Sequence, residues 1–372
     1  MTSAAPTQGA PRRLIEALLV TLLLGVIVAT RALDANAFVT WDEPAWTYRS
    51  AHFLLALARG DLRATAITGH PGVTTTWLGA LGLAWHAWVA RTVDWAQVLA
   101  VGALPTLEVH DATTMRLLGA LLPAAKSALP LAHAAIALAL YALLRRLAGW
   151  ALAFAGLAVL ALDPYYLALS RVLHIDALTA GLMLVSALAA LLHVREARAA
   201  GATPRRRYLL ISGVAAGLAA LTKTYGAFVT PFALALLAGG ALSRRTPPEG
   251  PPAGGPSGGV RARLLRAARD VALWGGLAVA AFVLAWPAMW VAPIQTLGGV
   301  LGLSLEYATA PGDATASIFG GALTNDPGAA FYPVALLYRA TPLVLVGVAL
   351  GVFDAITGFV RARRRSTVGG SR

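Results

Sequence analysis

Long apolar stretches alternate along this chain with short basic clusters and two extended polar excursions. Eight apolar stretches approach the length of a membrane-spanning helix: residues 14–33, 115–144, 150–162 and some way beyond to an end near 163–166, 175–193, 208–221, 226–242, 271–290 and 341–360. The first follows Arg12 and Arg13 and has no convincing small-residue cleavage site before Asp34, so it reads as an uncleaved signal-anchor helix rather than a removed leader. Pro123 and Pro130 fall inside the second and predict a kink there.

The first excursion, 34–110, is not uniformly polar. Residues 45–58 and 73–89 are moderately apolar, carry Trp and Arg, and are interrupted by Gly60 and by His70-Pro71-Gly72. They predict amphipathic helices at the interface, with aromatic rings at headgroup depth. The alternative for 73–89, a membrane crossing, has to accommodate a central His86 between Trp85 and Trp88. The second excursion spans 291–335. Residues 243–269 hold a Pro/Gly-dense run flanked by arginines, which predicts a flexible linker. No internal inverted repeat is visible.

Composition agrees with the pattern. Of 372 residues 58% are hydrophobic and 13% charged, and mean hydropathy is +0.68. Soluble domains are about 45–50% apolar and about 25% charged, so the expected fold class is an all-α integral membrane protein of about eight transmembrane helices. A net charge of +13 would suit a nucleic-acid binder, but the placement of the charges argues otherwise. With the N-terminus inside, 20 of the 30 Lys and Arg lie in the inside segments: the 1–13 tail, 145–146, 195–207, 243–269 and the basic tail 361–372. Both excursions then lie outside, and the expected domain is a single multi-pass unit over 14–360. There is no cysteine, hence no disulfide and no thiolate metal site.

Candidate chemistry concentrates on that outer face. Asp42-Glu43-Pro44 is a good helix start, a cap followed by an acid and a first-turn proline. It is also a carboxylate pair between Trp41 and Trp46, where partial desolvation suits a general base. His70 reads as a turn residue before Pro-Gly, or as a ligand or phosphate contact, and His52 as interfacial packing. Arg171, His174 and Asp176 cluster where the third and fourth spans meet. An Arg171–Asp176 or Asp–His contact is one reading and a site role the other. Lys223 and Arg339 each read as a snorkelling cation or as a phosphate contact. With Arg116, Tyr307, Tyr332 and Tyr338 they give one face carboxylates, cations and phenols, which suits proton removal from a hydroxyl beside a held phosphate. No phosphate-binding glycine loop, HExxH or Ser-His-Asp order is present.

Several motifs in order resemble one family. Asp42-Glu43, Gly60-Asp61, His70-Pro71-Gly72-Val73 and Trp77 are similar to the first extracytoplasmic loop of lipid-carrier-dependent glycosyltransferases of the GT-C superfold, the protein O-mannosyltransferase-like and aminoarabinose transferase-like enzymes. Arg116-Leu-Leu, Asp163-Pro-Tyr-Tyr with Arg171 and Asp176, Gly217-Leu-Ala-Ala-Leu-Thr-Lys223 and Phe331-Tyr332-Pro333 resemble later family motifs, so the resemblance runs over about residues 14–350.

The resemblance implies a GT-C-like fold and a polyprenyl-phosphate-linked sugar as donor. The acceptor would be a hydroxyl on a protein, lipid or cell-envelope glycan, and the reaction would take place on the outer side of the cytoplasmic membrane. Asp42 would act as catalytic base or orient the acceptor, with Glu43 beside it. Lys223, Arg116, Tyr332, Arg339 and His70 would lie by the donor phosphate, and Asp176, His174 and Arg171 would support them. Some relatives carry a divalent metal at the loop; nothing in this sequence requires one. Two departures stand out. Gly72 replaces the family's second proline, and the sequence ends at Arg372 where members continue with further spans. Rival readings are a lipid or solute translocator, disfavoured because spans five, six and eight hold almost no ionisable groups, and an inactive scaffold relative.

Overall fold

The structure is a computed structural model and describes residues 9–35, 37–108, 110–198, 206–242, 256–309, 317–324 and 326–368. Helix follows helix: α1 (Gly9–Ala32), α2 (Glu43–Ala58), α3 (Val73–Trp88), α4 (Trp95–Gly102), α5 (Ala112–Lys126), α6 (Leu129–Ala148), α7 (Trp150–Leu162) and α8 (Pro164–Arg171) come first. Then come α9 (Asp176–Arg198), α10 (Arg206–Thr222), α11 (Val229–Leu242), α12 (Pro256–Leu284), α13 (Ala288–Val291), α14 (Pro293–Thr309), α15 (Phe331–Arg339) and α16 (Pro342–Val368). The described sheet is one hairpin, Ser317–Phe319 against Ala322–Thr324, turned by Gly320-Gly321 at positive φ.

All eight predicted apolar stretches are helical, and they differ in length. Among the described residues four units are long and apolar enough to cross a bilayer alone: Pro11–Ala32, Ala112–Ala148, Asp176–Arg198 and Val260–Leu284. Two bent pairs bring the number to six, Trp150–Leu162 with Pro164–Arg171 at 62° and Phe331–Arg339 with Pro342–Gly358 at 120°. The remaining two stretches are short because polar backbone breaks them. α10 stops at Thr222 and Lys223 is already extended, with φ −155°. A helix of 17 residues is about 25 Å long, below the ~30 Å of a hydrocarbon core. The linker is corrected in part: the chain is helical from Pro256, and residues 243–255 lie outside the described set.

Small residues bring the longer helices together. A Cβ on Gly217 of α10 would fall 2.1 Å from the Ala278 carbonyl oxygen of α12, so only glycine allows that approach. Polar side chains join the same helices: the Ser212 hydroxyl donates to the Ser186 carbonyl at 2.8 Å, and Trp274 Nε1 donates to Ser212 Oγ at 2.9 Å.

The predicted helices of the first excursion form, at 43–58 and 73–88, and both contribute to the core. Trp46, Phe53, Leu54, Val73, Ala80 and Leu83 share one core with Leu118, Leu121 and Leu122 of α5 and Leu178 and Val185 of α9. α2 therefore packs as a core element, wedged among α3, α4 and α5, and this fixes the carboxylates at its start. α3, with 16 residues, does not reach spanning length.

Candidate functional site

The start of α2 separates its two acids sharply. The Asp42 carbonyl accepts from Trp46 N at 3.1 Å and begins the helix, yet its side chain makes no capping hydrogen bond and is 61% exposed. The expected Asp42 cap is thus absent. Glu43 turns inward and is fully buried. Its Oε2 accepts from Thr40 N at 2.7 Å, and its Oε1 accepts from Leu173 N at 3.0 Å and pairs with Lys126 Nζ at 2.6 Å. Lys126 also donates to the Ala35 carbonyl at 2.9 Å. Both oxygens of Glu43 are occupied by the protein. It ties α5, the segment leaving α1 and the turn before α9 to the first turn of α2, which is a positioning arrangement.

That turn delivers His174. Its Nε2 lies 3.5 Å from Asp42 Oδ2 and its Nδ1 3.3 Å from Asp176 Oδ2. Asp176 opens α9, and its Oδ1 accepts from Lys223 Nζ at 2.9 Å and from the Tyr225 hydroxyl at 2.7 Å. Asp42, His174, Asp176 and Lys223 thus form one continuous line of polar contacts. The Trp46 ring meets the His174 ring edge-on at 6.1 Å between centroids, and the Arg49 guanidinium stacks on that indole at 4.6 Å.

His70-Pro71-Gly72 closes another side. Gly72 has φ +59°, a Cβ there would fall 2.3 Å from the Trp46 ring, and its N–H donates to the Thr222 carbonyl at 3.1 Å. Thr74 Oγ1 adds a 2.7 Å bond to Thr222 Oγ1. Proline holds φ near −65° and could not adopt this conformation. His70 is half-buried. Burial, and then the charges of Lys223, Arg49 and His174, hold its imidazole below the ordinary value.

Asp42 faces a groove of about 300 Å³ walled by Val39, Trp41, Pro44, Leu107 and Met115. A second opening of about 450 Å³ lies on the other side of Ala45, against Arg49 and His52. Apolar walls with few polar groups suit a substrate site. Among the described residues no three His, Asp or Glu side chains are gathered closely enough to hold a metal ion.

Other candidates stand apart from this line. The expected Arg171–Asp176 pair is not formed: Arg171 Nη2 donates to the carbonyls of Leu33 at 2.7 Å and Asp34 at 3.3 Å, fastening the exit of α1. Arg116 is exposed and reaches Thr113 Oγ1 at 3.5 Å. Tyr332 and Tyr338 are exposed, and Tyr332 packs on Phe331. Arg339 stacks over Tyr165 at 5.7 Å. Asp61 caps the turn Leu62–Thr65 through Ala64 N at 3.2 Å. The side chain of Tyr307 lies outside the described set. Tyr225 and Lys126 were not singled out from sequence. The signal for Lys126 was a lone cation deep in an apolar run, which demands a buried partner.

Residues 112–247 match the family described as dolichyl-phosphate-mannose-protein mannosyltransferase. The matched stretch contains His174, Asp176 and Lys223 and excludes Asp42. No curated protein and no solved structure matches the chain significantly. With the spanning helices, this match supports a multi-pass membrane glycosyltransferase similar to the GT-C superfold.

Proposed function

We propose that the chain moves a sugar from a polyprenyl-phosphate carrier to an acceptor hydroxyl of a protein, lipid or cell-envelope glycan, at the extracytoplasmic face of the cytoplasmic membrane. The observation that supports this best is the line Asp42–His174–Asp176–Lys223, which joins an exposed carboxylate to a cation from a distant helix end.

In this reading Asp42 removes the proton of the acceptor hydroxyl as its oxygen attacks C1 of the sugar from the face opposite the phosphate. The new C1–O bond forms as the bond to the carrier's phosphate oxygen breaks, and the configuration inverts. The phosphate leaves with the electron pair. An ammonium has three N–H donors; Asp176 engages one from Lys223, leaving two for phosphate oxygens. His70 lies close to Lys223 and Arg49. Base catalysis of this kind contributes about 10²–10⁴ in rate. His174 and Asp176 position the two ends, and Glu43 holds the turn.

The donor class is tested with purified protein in liposomes containing a polyprenyl-phosphate hexose or pentose, or supplied with a nucleotide sugar and lipid carrier separately. Transfer from the lipid-linked sugar alone is expected. Transfer that requires the nucleotide sugar would overturn the proposal.

A further inference from the structure

A groove between α6 and α10, at the end of the bundle remote from Asp42, has no part in this chemistry. α6 begins beside Lys126 and its 20 residues carry the chain about 30 Å onward, to Arg145 and Arg146. The two arginines point differently because successive helical residues are about 100° apart. Arg145 turns to α1, where it pairs with Glu16, and Tyr141 donates to the same carboxylate at 2.6 Å. Arg146 turns to α10 and lines a groove of about 270 Å³ with Arg207 and Tyr208.

The groove is graded along its length. Its rim carries Arg146 and Arg207, both exposed, and neither forms an ion pair with a carboxylate among the described residues. Arg207 is steered by Tyr208: its guanidinium stacks on the ring at 4.7 Å and its Nη2 donates to the hydroxyl at 2.9 Å. One to two turns deeper the walls are Ala139, Ala142, Leu143 and Ile211, without a polar side chain. Two uncompensated guanidinium groups above an aliphatic slot match a phosphodiester joined to an acyl chain. Basic pockets between spanning helices bind such headgroups, and guanidinium holds phosphate in a bidentate fork. The neighbouring basic opening around Arg12 and Arg13 lacks this gradation, its lining being polar apart from Gly149 and Trp150.

We infer that the α6–α10 groove is a binding site for an anionic phospholipid, with the phosphate between Arg146 and Arg207 and an acyl chain along Ala142 and Ile211. The site is separate from the transfer site, and the inference does not depend on the proposed activity.

The test uses the full-length protein in detergent, with native mass spectrometry and thermal unfolding in the presence of phosphatidylglycerol, phosphatidylcholine or inorganic phosphate. Phosphatidylglycerol is expected to be retained and to raise the melting temperature, and the other two are not. R146Q/R207Q, which alters two exposed side chains, is expected to weaken phosphatidylglycerol binding by roughly tenfold or more, since each arginine near an anionic lipid surface is worth about fivefold. R12Q/R13Q is expected to leave it unchanged. Equal retention of phosphatidylcholine, an undiminished effect in R146Q/R207Q, equal loss in R12Q/R13Q, or the same stabilisation by inorganic phosphate would each overturn the assignment.

Discussion

His174 stands 3.5 Å from Asp42, Nε2 to Oδ2, across a gap that joins the start of α2 to the turn preceding α9. The imidazole holds Asp176 with its other nitrogen at 3.3 Å, so a single side chain sets the spacing between the proposed base and the cation holder. Replacing it with glutamine should leave the fold intact, because the imidazole is part-exposed. It should slow transfer by up to about 100-fold, the cost of an ångström-scale misplacement. Initial rates at saturating and limiting donor would check this. A misplacement lowers the maximal rate, whereas an effect confined to donor KM would assign His174 to donor binding instead.

Glu43 and Lys126 test the scaffold rather than the chemistry. Breaking a buried ion pair from one side leaves an uncompensated charge and costs about 3–5 kcal/mol. Lys126→Met should therefore lower the melting temperature strongly. Glu43→Gln added to it should recover part of the loss, because the uncompensated charge is gone, while the amide's single oxygen can accept from only one of Thr40 N and Leu173 N. Thermal unfolding of the two variants in detergent decides it; additive losses would show that the pair is not coupled.

Gly72 is predicted to be irreplaceable. A non-glycine residue at positive φ costs about 1–2 kcal/mol, and a Cβ there runs into the Trp46 ring. Gly72→Ala should lower both stability and transfer by displacing Trp46 from His174, and Gly72→Pro more so, since proline cannot reach that φ. A Gly72→Ala protein with unchanged melting temperature and rate would contradict this placement.

Acid should weaken the loop through His70. Its folded value lies below the ordinary imidazole value of 6.5, so protonation is disfavoured in the folded state. Its contribution to stability is complete above pH about 6.5 and is lost as pH falls below it. The groups facing it include Lys223, Arg49 and His174, all cations or cation-formers. His70→Asn should flatten the melting profile between pH 7 and 5 relative to wild type; an identical slope would remove His70 from this role.

Much of this architecture was legible before coordinates, and for physical reasons. The break at Asp163-Pro164 follows from proline ending one helix and starting the next, and it falls near 163–166, where the third apolar run is expected to end. Ionisable residues bordering apolar runs drew attention to Asp42, His174, Asp176 and Lys223 because charge beside lipid needs partners. The pairing itself was not legible. Arg171 is nearer Asp176 in sequence than Lys223 is, but the bend between α7 and α8 turns it to the Leu33 and Asp34 carbonyls. Asp42 and Glu43 are neighbours with opposite fates, and only helix phase decides which one faces the core. Likewise α2 reads as amphipathic from composition, yet packing from α3, α4 and α5 buries most of it.

The central claim is that Asp42 and Lys223 act on one substrate. The most direct measurement is sugar transfer from a polyprenyl-phosphate donor in liposomes by wild type, Asp42→Asn, Lys223→Met and the double variant. The account predicts that Asp42→Asn loses about 100-fold or more in rate with donor binding kept, and that Lys223→Met loses donor affinity. Asp42→Asn turning over near the wild-type rate would contradict it.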